Sequence, residues 1–152
     1  MGKLRVLFIC IGNSARSQMA EGWLRLWAGD RFEALSAGTH PIPVHRLTVK
    51  VMREVGADMS PARCKQVKDV PGPFDYVITT CSEAESECPT IKGTRGTFHW
   101  HIPDPVGRAS ILPVEQERLE VFRRARDLIA GKVDEFLASV PEEDPSRERE
   151  TL

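Results

Sequence analysis

The most reactive side chains of this sequence lie near its start, in the segment Cys10-Ile11-Gly12-Asn13-Ser14-Ala15-Arg16. A cysteine is a nucleophile as its thiolate, which a nearby cation or the N-terminus of a helix stabilises. An arginine can bind a tetrahedral oxyanion through two parallel N–H groups, and the backbone amides of a tight turn add further donors. The spacing of Cys10 and Arg16 therefore predicts a loop that binds an anion such as phosphate or arsenate, with a thiolate aimed at its central atom.

The residues inside this loop favour that interpretation over its alternative, a buried structural cysteine near a surface arginine. Gly12 and Asn13 tolerate the positive φ that converging amides require. Ser14 and Ser17 carry hydroxyl groups that can donate to a thiolate or to an anion. The predicted oxyanion site consists of seven consecutive residues: Ile11, Gly12, Asn13, Ser14, Ala15, Arg16 and Ser17.

A second pair of thiols, Cys81 and Cys88, brackets a polar segment that Pro89 follows. Ser82 and Glu85 have the spacing of a capping box, so the segment is predicted to begin a short helix with little apolar surface to bury. In a helix the two cysteines would lie about 10 Å apart, whereas a disulfide needs Cα atoms within about 7 Å. The pair can therefore join only if the segment unwinds, as a redox switch would require.

Two other interpretations of these thiols are ordinary surface cysteines and a zinc site completed by His99 or His101. Zinc ligands usually occur in closer pairs, and alternate residues of a strand point to opposite faces of the sheet. We therefore predict no metal site here.

Asp104 is the third candidate for chemistry, because a carboxylic acid beside the loop could protonate a leaving oxygen as a general acid. The following Pro105 favours an extended backbone at Asp104. An aspartate in this context is also common in turns. We predict a catalytic role because Asp104, like Cys10 and Cys81, follows a predicted strand.

The hydrophobic pattern predicts strands at 4–9, 32–37, 75–80 and 97–102, and helices at 17–28, 45–55 and 114–137. Such alternation is typical of an α/β fold, here a small four-stranded parallel sheet with helices on both faces. Ligands of these folds bind beyond the carboxyl ends of the strands. Cys10, Cys81 and Asp104 should therefore lie at one edge of the sheet.

The composition fits one α/β domain over residues 1–140, followed by a charged tail over 141–152 that we expect to be disordered. The chain has 152 residues and a formal net charge of −1. Without a basic stripe or an apolar run of about 20 residues, neither nucleic acid nor a membrane is an expected partner. The absence of a secretory leader predicts a cytoplasmic protein with reduced thiols.

Together these features resemble the thioredoxin-coupled arsenate reductases, a family that shares the fold of the low-molecular-weight protein tyrosine phosphatases. The resemblance covers nearly the whole chain up to the tail. It rests on Cys10–Arg16, Ser17-Gln18-Met19-Ala20-Glu21-Gly22, Ser36-Ala37-Gly38, Cys81…Cys88-Pro89, His99-Trp100 and Asp104-Pro105. The pair Cys81 and Cys88 is what separates the reductases from the phosphatases.

The resemblance implies a relay of three cysteines that serves arsenic detoxification. Cys10 would form a covalent adduct with arsenate, held by Arg16 and the loop amides, while Asp104 assists the loss of water. A Cys10–Cys81 disulfide would follow as arsenite leaves, and Cys88 would then convert it to a Cys81–Cys88 disulfide. Thioredoxin would reduce that bond, although mycothiol or glutaredoxin coupling stays open. No tightly bound cofactor is implied, only an oxyanion (arsenate, phosphate or sulfate) in the loop.

The sequence departs from the family at several positions. Ala15 replaces a cysteine of some members, and Cys64 is an additional thiol that we interpret as a spectator. Some members bind potassium near the equivalents of Asn13 and Glu21. Lys65 stands near the position of a further acidic ligand, so its ammonium is expected to replace the ion.

Two further functions compete with arsenate reduction. One is a low-molecular-weight phosphatase acting on aryl or protein tyrosine phosphates, and residual phosphatase activity is also compatible with a reductase. The segment Val106-Gly107 after Asp104-Pro105 lacks the aromatic residues that hold a phosphotyrosine ring, which disfavours this function. The other is a non-catalytic oxyanion sensor or redox-regulated binding protein.

Overall fold

The computed structural model describes residues 2–82, 88–89 and 91–140. Four parallel strands form one sheet in the order β2-β1-β3-β4. The strands are β1 (Leu4–Cys10), β2 (Phe32–Gly38), β3 (Tyr76–Thr79) and β4 (Gly96–His99). The α-helices are α1 (Arg16–Ala28), α2 (Arg46–Glu54), α3 (Pro105–Ser110) and α4 (Glu115–Ser139). The predicted four-stranded parallel sheet is confirmed, while the predicted helix after Ser82 and the predicted disorder of the tail concern residues outside the described ranges.

Strand β1 is the central element of the core, because both of its faces are buried. Val6 and Phe8 contact the larger hydrophobic cluster, which contains the buried faces of all four α-helices. Leu7 and Ile9 belong to a smaller cluster on the opposite face of the sheet. A strand covered on both faces is expected to be continuously apolar, which is the pattern from which it was predicted.

The opposite face of the sheet is covered by the connection between α2 and β3. Val67 begins a single turn of 3-10 helix at Val67–Asp69, and Val67, Val70 and Phe74 pack against the strand residues of the smaller cluster. Helical segments therefore lie on both faces, with the α-helices on one and this short turn on the other.

Helix α4 joins the other helices into one layer. The indole N–H of Trp23 in α1 donates to the carbonyl of Arg126 at 3.0 Å. Glu54 at the end of α2 forms ion pairs of 2.7 and 2.8 Å with Arg123 and Arg126. These contacts fix α1 and α2, the two helices that border the predicted loop, relative to each other.

Two boundaries near Asp104 differ from the sequence predictions. Strand β4 ends at His99 rather than at residue 102, because its partner strand β3 ends at Thr79. The carbonyl of Thr79 accepts the last backbone hydrogen bond between the two segments, from the N–H of Trp100. Helix α3 was not predicted, and Asp104 is its N-cap, accepting a hydrogen bond from the amide of Val106 at 3.0 Å. An Asp-Pro pair can start a helix as well as a turn, but only a turn was considered from the sequence as the alternative to a catalytic aspartate.

Candidate oxyanion site

The predicted loop is a strand-to-helix turn. Cys10 is the last residue of β1, and Arg16 is the first residue of α1. Asn13 adopts a positive φ of 49°, as its residue type allows. Ala15, the N-cap of α1, has no side-chain acceptor, so the first amides of the helix are not capped from their own segment. An uncapped helix N-terminus is a favourable position for an anion.

Backbone hydrogen bonds to the connection between β2 and α2 set the orientation of the loop peptides. Carbonyls at three positions of the loop accept these bonds at 2.9 to 3.1 Å, in the pairs His40 N to Ile11 O, Ile42 N to Gly12 O and His45 N to Ser14 O. In a trans peptide the carbonyl and the next N–H point in opposite directions, so each bond turns the following amide into the loop. Asn13 shows the result, because its N–H donates to the sulfur of Cys10 at 3.1 Å.

The side chain of Ile42 packs closely against Gly12. A Cβ atom at Gly12 would lie 3.2 Å from Cγ1 of Ile42, so the Ile42 side chain would have to shift by a few tenths of an ångström. Glycine therefore allows Ile42 to approach the loop closely.

Two donors surround the sulfur of Cys10, which is buried. Ser17 Oγ lies 2.9 Å from it, and Asn13 Nδ2 donates to the same Ser17 oxygen at 2.8 Å. Because Ser17 accepts from the amide, its single hydroxyl proton is free to point at the sulfur. With the Asn13 N–H, the sulfur therefore accepts two hydrogen bonds, an arrangement that suits an anionic thiolate.

Gln18 holds this arrangement from behind, a role that the sequence analysis missed. Its side-chain amide donates to the carbonyl of Asn13 and to Asn13 Oδ1, each at 3.1 Å, and to the carbonyl of Arg63 at 2.9 Å. The backbone N–H of Lys65 also donates to Asn13 Oδ1, at 2.9 Å. The only available signal was a polar residue on the buried side of α1. Gln18 Oε1 has no hydrogen-bond partner among the described residues.

Three of the predicted catalytic side chains, those of Cys10, Arg16 and Asp104, line one pocket of about 240 Å³. Arg16 is buried and donates to the carbonyl of Ile102 at 2.9 Å. Asp104 is extended, with φ −73° and ψ 111°, as its proline neighbour predicted. The remaining lining residues are Ile11, Gly12, Ser14, Ala15, His40, Ile42 and Val106. Asn13 and Ser17 are not among the described lining residues and support the sulfur instead.

Cys81 and Cys88 are joined by a disulfide, with their Cα atoms 6.2 Å apart. Cys81 is buried and follows the last residue of β3 by two positions, whereas Cys88 is half-buried. Thr80 donates to the carbonyl of Ile9, which places Cys81 beyond the same edge of the sheet as Cys10. Cys10 and Cys64 are free thiols. Cys81 is not among the described residues that line the pocket.

A buried carboxylate lies beside the loop at Glu21. Burial raises its pKa, while the charges of Arg25 and Lys65 lower it. Ser36 donates to Glu21 Oε1 at 3.3 Å, and Arg25 forms an ion pair with Glu21 Oε2 at 3.5 Å. Burial lowers the pKa of Lys65, whose ammonium donates to the carbonyl of Arg63 at 2.8 Å. The charge of Lys65 thus acts on the carboxylate of Glu21, but its replacement of a potassium ion stays a prediction.

The two histidines considered as zinc ligands are both exposed. His99 Nδ1 lies 2.8 Å from the hydroxyl of Thr79, and Trp100 between the histidines is buried. Within the described ranges, no group of three histidine, cysteine or acidic side chains is placed to hold a metal. No helix in those ranges is long and apolar enough to cross a bilayer.

Comparison with known proteins confirms the predicted fold class and the family resemblance. The sequence model of the low molecular weight phosphotyrosine protein phosphatases matches residues 5–146. An arsenate reductase of Halalkalibacterium halodurans is 36% identical over 137 residues, which cover 90% of this chain and 96% of that protein.

Two of the similar solved structures bear on the site. One, described as an arsenate reductase in the phosphate binding state, has a TM-score of 0.73 and 26% identity, and the match covers 91% of this chain and 99% of that one. The other is a thioredoxin-dependent arsenate reductase of Corynebacterium glutamicum, with a TM-score of 0.57, 28% identity and coverage of 89% and 64%.

Proposed function

Because this chain belongs to the low molecular weight phosphotyrosine protein phosphatase family, we propose that it uses the oxyanion loop of that family to reduce arsenate to arsenite. The observation that carries the proposal is the Cys81–Cys88 disulfide beyond the same sheet edge as Cys10. Hydrolysis of a phosphate ester needs only a nucleophile, an anion cradle and an acid. A second pair of thiols able to bond to each other is needed only where electrons are transferred.

Arsenate binds in the pocket, where Arg16 and the inward amides of the loop hold its oxygens. The thiolate of Cys10 attacks the arsenic atom and forms a sulfur–arsenic bond. One oxygen leaves as water, with the proton supplied by Asp104, which lines the same pocket. This step leaves the oxidation state of arsenic at five.

Reduction takes place when Cys81 attacks the sulfur of Cys10. The electron pair of the sulfur–arsenic bond departs with arsenic, which leaves as arsenite, and a Cys10–Cys81 disulfide remains. Cys88 then attacks Cys81, frees Cys10 as a thiolate and forms the Cys81–Cys88 disulfide. The structure has a free Cys10 and a Cys81–Cys88 bond, which is the arrangement expected at the end of this sequence.

Thioredoxin is the proposed reductant, and the cytoplasm is the compartment in which it would act on this protein. The C. glutamicum neighbour is named as thioredoxin-dependent. Cys88 is the more exposed cysteine of the disulfide and is therefore the sulfur open to attack by an external dithiol. No tightly bound cofactor takes part, and arsenic detoxification is the proposed physiological role.

The test is a coupled assay in which thioredoxin, thioredoxin reductase and NADPH are supplied with arsenate. We expect NADPH oxidation that depends on arsenate, and a loss of at least about a hundredfold in Cys81→Ser, because no thiol then releases arsenite from Cys10. Cys64→Ser is the matched control, since Cys64 is a free thiol that the relay does not use. Turnover that persists in Cys81→Ser would show that the relay is wrong.

A phosphatase is the second candidate, since Cys10, Arg16 and Asp104 are also the groups that phosphate ester hydrolysis needs. The pocket wall argues against a phosphotyrosine substrate, because none of its described lining residues is a phenylalanine, tyrosine or tryptophan that could pack on the ring. Hydrolysis of p-nitrophenyl phosphate at a rate above arsenate reduction, unaffected by Cys81→Ser, would favour this candidate. A pure oxyanion sensor would instead bind phosphate or arsenate without turnover in either assay.

The expected replacement of potassium by Lys65 has a direct measurement. Because the ammonium of Lys65 already supplies a positive charge that acts on Glu21, arsenate kcat/KM should not respond to potassium at constant ionic strength. A specific stimulation by potassium over sodium would contradict that expectation.

A further inference from the structure

His45 lies where the oxyanion loop, α2 and α4 meet. Its backbone N–H donates to the carbonyl of Ser14 at 3.1 Å. Three residues later, the hydroxyl of Thr48 in α2 donates to the same carbonyl at 2.9 Å. The Ser14 hydroxyl donates to the carbonyl of Pro43 at 3.1 Å. Ser14 is therefore held at both its main chain and its side chain by the segment that starts α2.

The position of the Ser14 carbonyl matters because of the amide that follows it. Holding this carbonyl away from the loop turns the N–H of Ala15 toward the pocket that Ala15 lines. The first turn of α2 thus determines whether one of the anion-binding amides points at the anion.

The imidazole of His45 fixes that first turn. His45 is the N-cap of α2, and its Nδ1 accepts a hydrogen bond from the backbone N–H of Leu47 at 3.0 Å. A backbone N–H can only donate, so Nδ1 must carry no proton and the neutral ring has its proton on Nε2. The ring packs against Phe122 of α4, with centroids 4.6 Å apart.

The surroundings of His45 favour the neutral ring at neutral pH. Burial and the charge of Arg46 in α2 lower its pKa from the ordinary value of 6.5. Glu115 of α4 and Asp104 before α3 act in the opposite direction but are the smaller influences. The lowered pKa means that the folded protein binds a proton at His45 less readily than the unfolded chain does. The cap formed by the neutral ring is therefore fully present above pH 6.5 and is lost as the pH falls through the lowered pKa of His45.

We propose that His45 is a positioning residue for the oxyanion loop, which holds the Ser14–Ala15 peptide in its anion-binding orientation only while the imidazole is neutral. Protonation places a second proton-bearing nitrogen opposite the N–H of Leu47, so the cap breaks and the start of α2 releases Ser14. The site should therefore lose affinity for anions in mild acid for a reason that is separate from the titration of the anion itself. This inference rests on the proposed oxyanion site.

The test compares wild type with His45→Asn and His45→Ala. Asparagine is a good N-cap that does not titrate, and alanine cannot cap at any pH. Both variants lose the packing of the ring on Phe122, so the difference between them isolates the cap. Sulfate is the probe, because it stays a dianion throughout the pH range in which histidines titrate, unlike phosphate or arsenate. Its affinity is measured from protection of Cys10 against iodoacetamide, followed by mass spectrometry of the Cys10 peptide.

We expect the ratio of wild-type to His45→Asn affinity to fall about fivefold as the pH is lowered from 8 through the lowered pKa of His45, since a cap is worth about that factor in an equilibrium constant. His45→Ala should bind sulfate about fivefold more weakly than His45→Asn at every pH. Circular dichroism establishes which proteins are folded at each pH. If His45→Ala does not fold, the ratio of wild type to His45→Asn still decides the question.

A ratio that does not change with pH, or equal affinities of the two variants, overturns the role of His45 while leaving the oxyanion site intact. Absence of sulfate protection in wild type at every pH would instead overturn the site itself, and this inference with it.

Discussion

At the scale of single residues, the sulfur of Cys10 lies at the end of a chain of hydrogen bonds that favours its proposed role as the nucleophile. Asn13 contributes twice, through its N–H to the sulfur and through its side-chain amide to Ser17. Gln18 and the backbone of Lys65 hold Asn13 in turn. The proposed nucleophile therefore depends on residues that do not line the pocket.

Ser17→Ala should weaken arsenate kcat/KM by about ten- to a hundredfold, because a hydrogen bond to a charged group is worth about that much when removed. The rate of alkylation of Cys10 by iodoacetamide should fall with it. Ser139→Ala is the matched control, since that hydroxyl donates to the carbonyl of Phe136 at the end of α4 and not to the sulfur. Equal effects of the two substitutions on alkylation would contradict the assigned direction of the Ser17 hydroxyl.

The pocket residues that could be predicted from the sequence are those with reactive side chains. Cys10 and Asp104 follow predicted strands, Arg16 follows Cys10 by six residues, and all three line one pocket, while their catalytic roles stay predictions. The contacts of Gln18 and of the β2–α2 connection join segments that are distant in the sequence. No sequence pattern identifies a main-chain N–H that donates a hydrogen bond to a carbonyl 30 residues away, as that of Ile42 does to Gly12.

At the scale of elements, ion pairs between α2 and α4 hold α2, the helix that His45 caps. Arg123, and to a smaller extent Arg126, lower the pKa of Glu54 to about 2. Because the folded pKa lies below the ordinary value of 4.5, these pairs stabilise the fold above pH 4.5 and their contribution is lost as the pH falls toward 2.

Glu54→Gln should therefore lower the melting temperature at pH 7 by about 2–5 °C, and the difference from wild type should shrink as the pH falls from 4.5 toward 2. Thermal unfolding followed by circular dichroism measures both. Glu135→Gln removes an exposed pair within α4 and should change little at any pH. A constant difference for Glu54→Gln across this range would mean that its carboxylate charge is not what stabilises the contact.

The elements that were predicted well are those with a long hydrophobic signal. Strand β1 and helix α4 have continuous or helical periodicity over many residues, and their ends fall within two residues of the prediction. Helix α3 has only six residues and two buried side chains, so its pattern is too short to separate from a turn. Strand β4 was predicted too long because its end depends on where β3 stops, which local sequence does not record.

At the scale of the whole molecule, the parallel sheet collects groups from separate parts of the chain at one edge. Cys10 ends β1, and Cys81 follows β3, the strand hydrogen-bonded to it. The anion pocket and the disulfide thus occupy neighbouring positions, with Cys88 more exposed than Cys81. This order, from buried nucleophile to half-buried thiol, is what a relay that passes oxidation outward requires.

The most direct test of that relay is a single turnover without any external reductant. Fully reduced protein is mixed with arsenate, quenched with acid and alkylated, and its disulfides are identified by mass spectrometry while arsenite is quantified. The relay predicts one arsenite released for each Cys81–Cys88 disulfide formed, with Cys10 recovered as a free thiol. Arsenite released while Cys81 and Cys88 both remain reduced would contradict it.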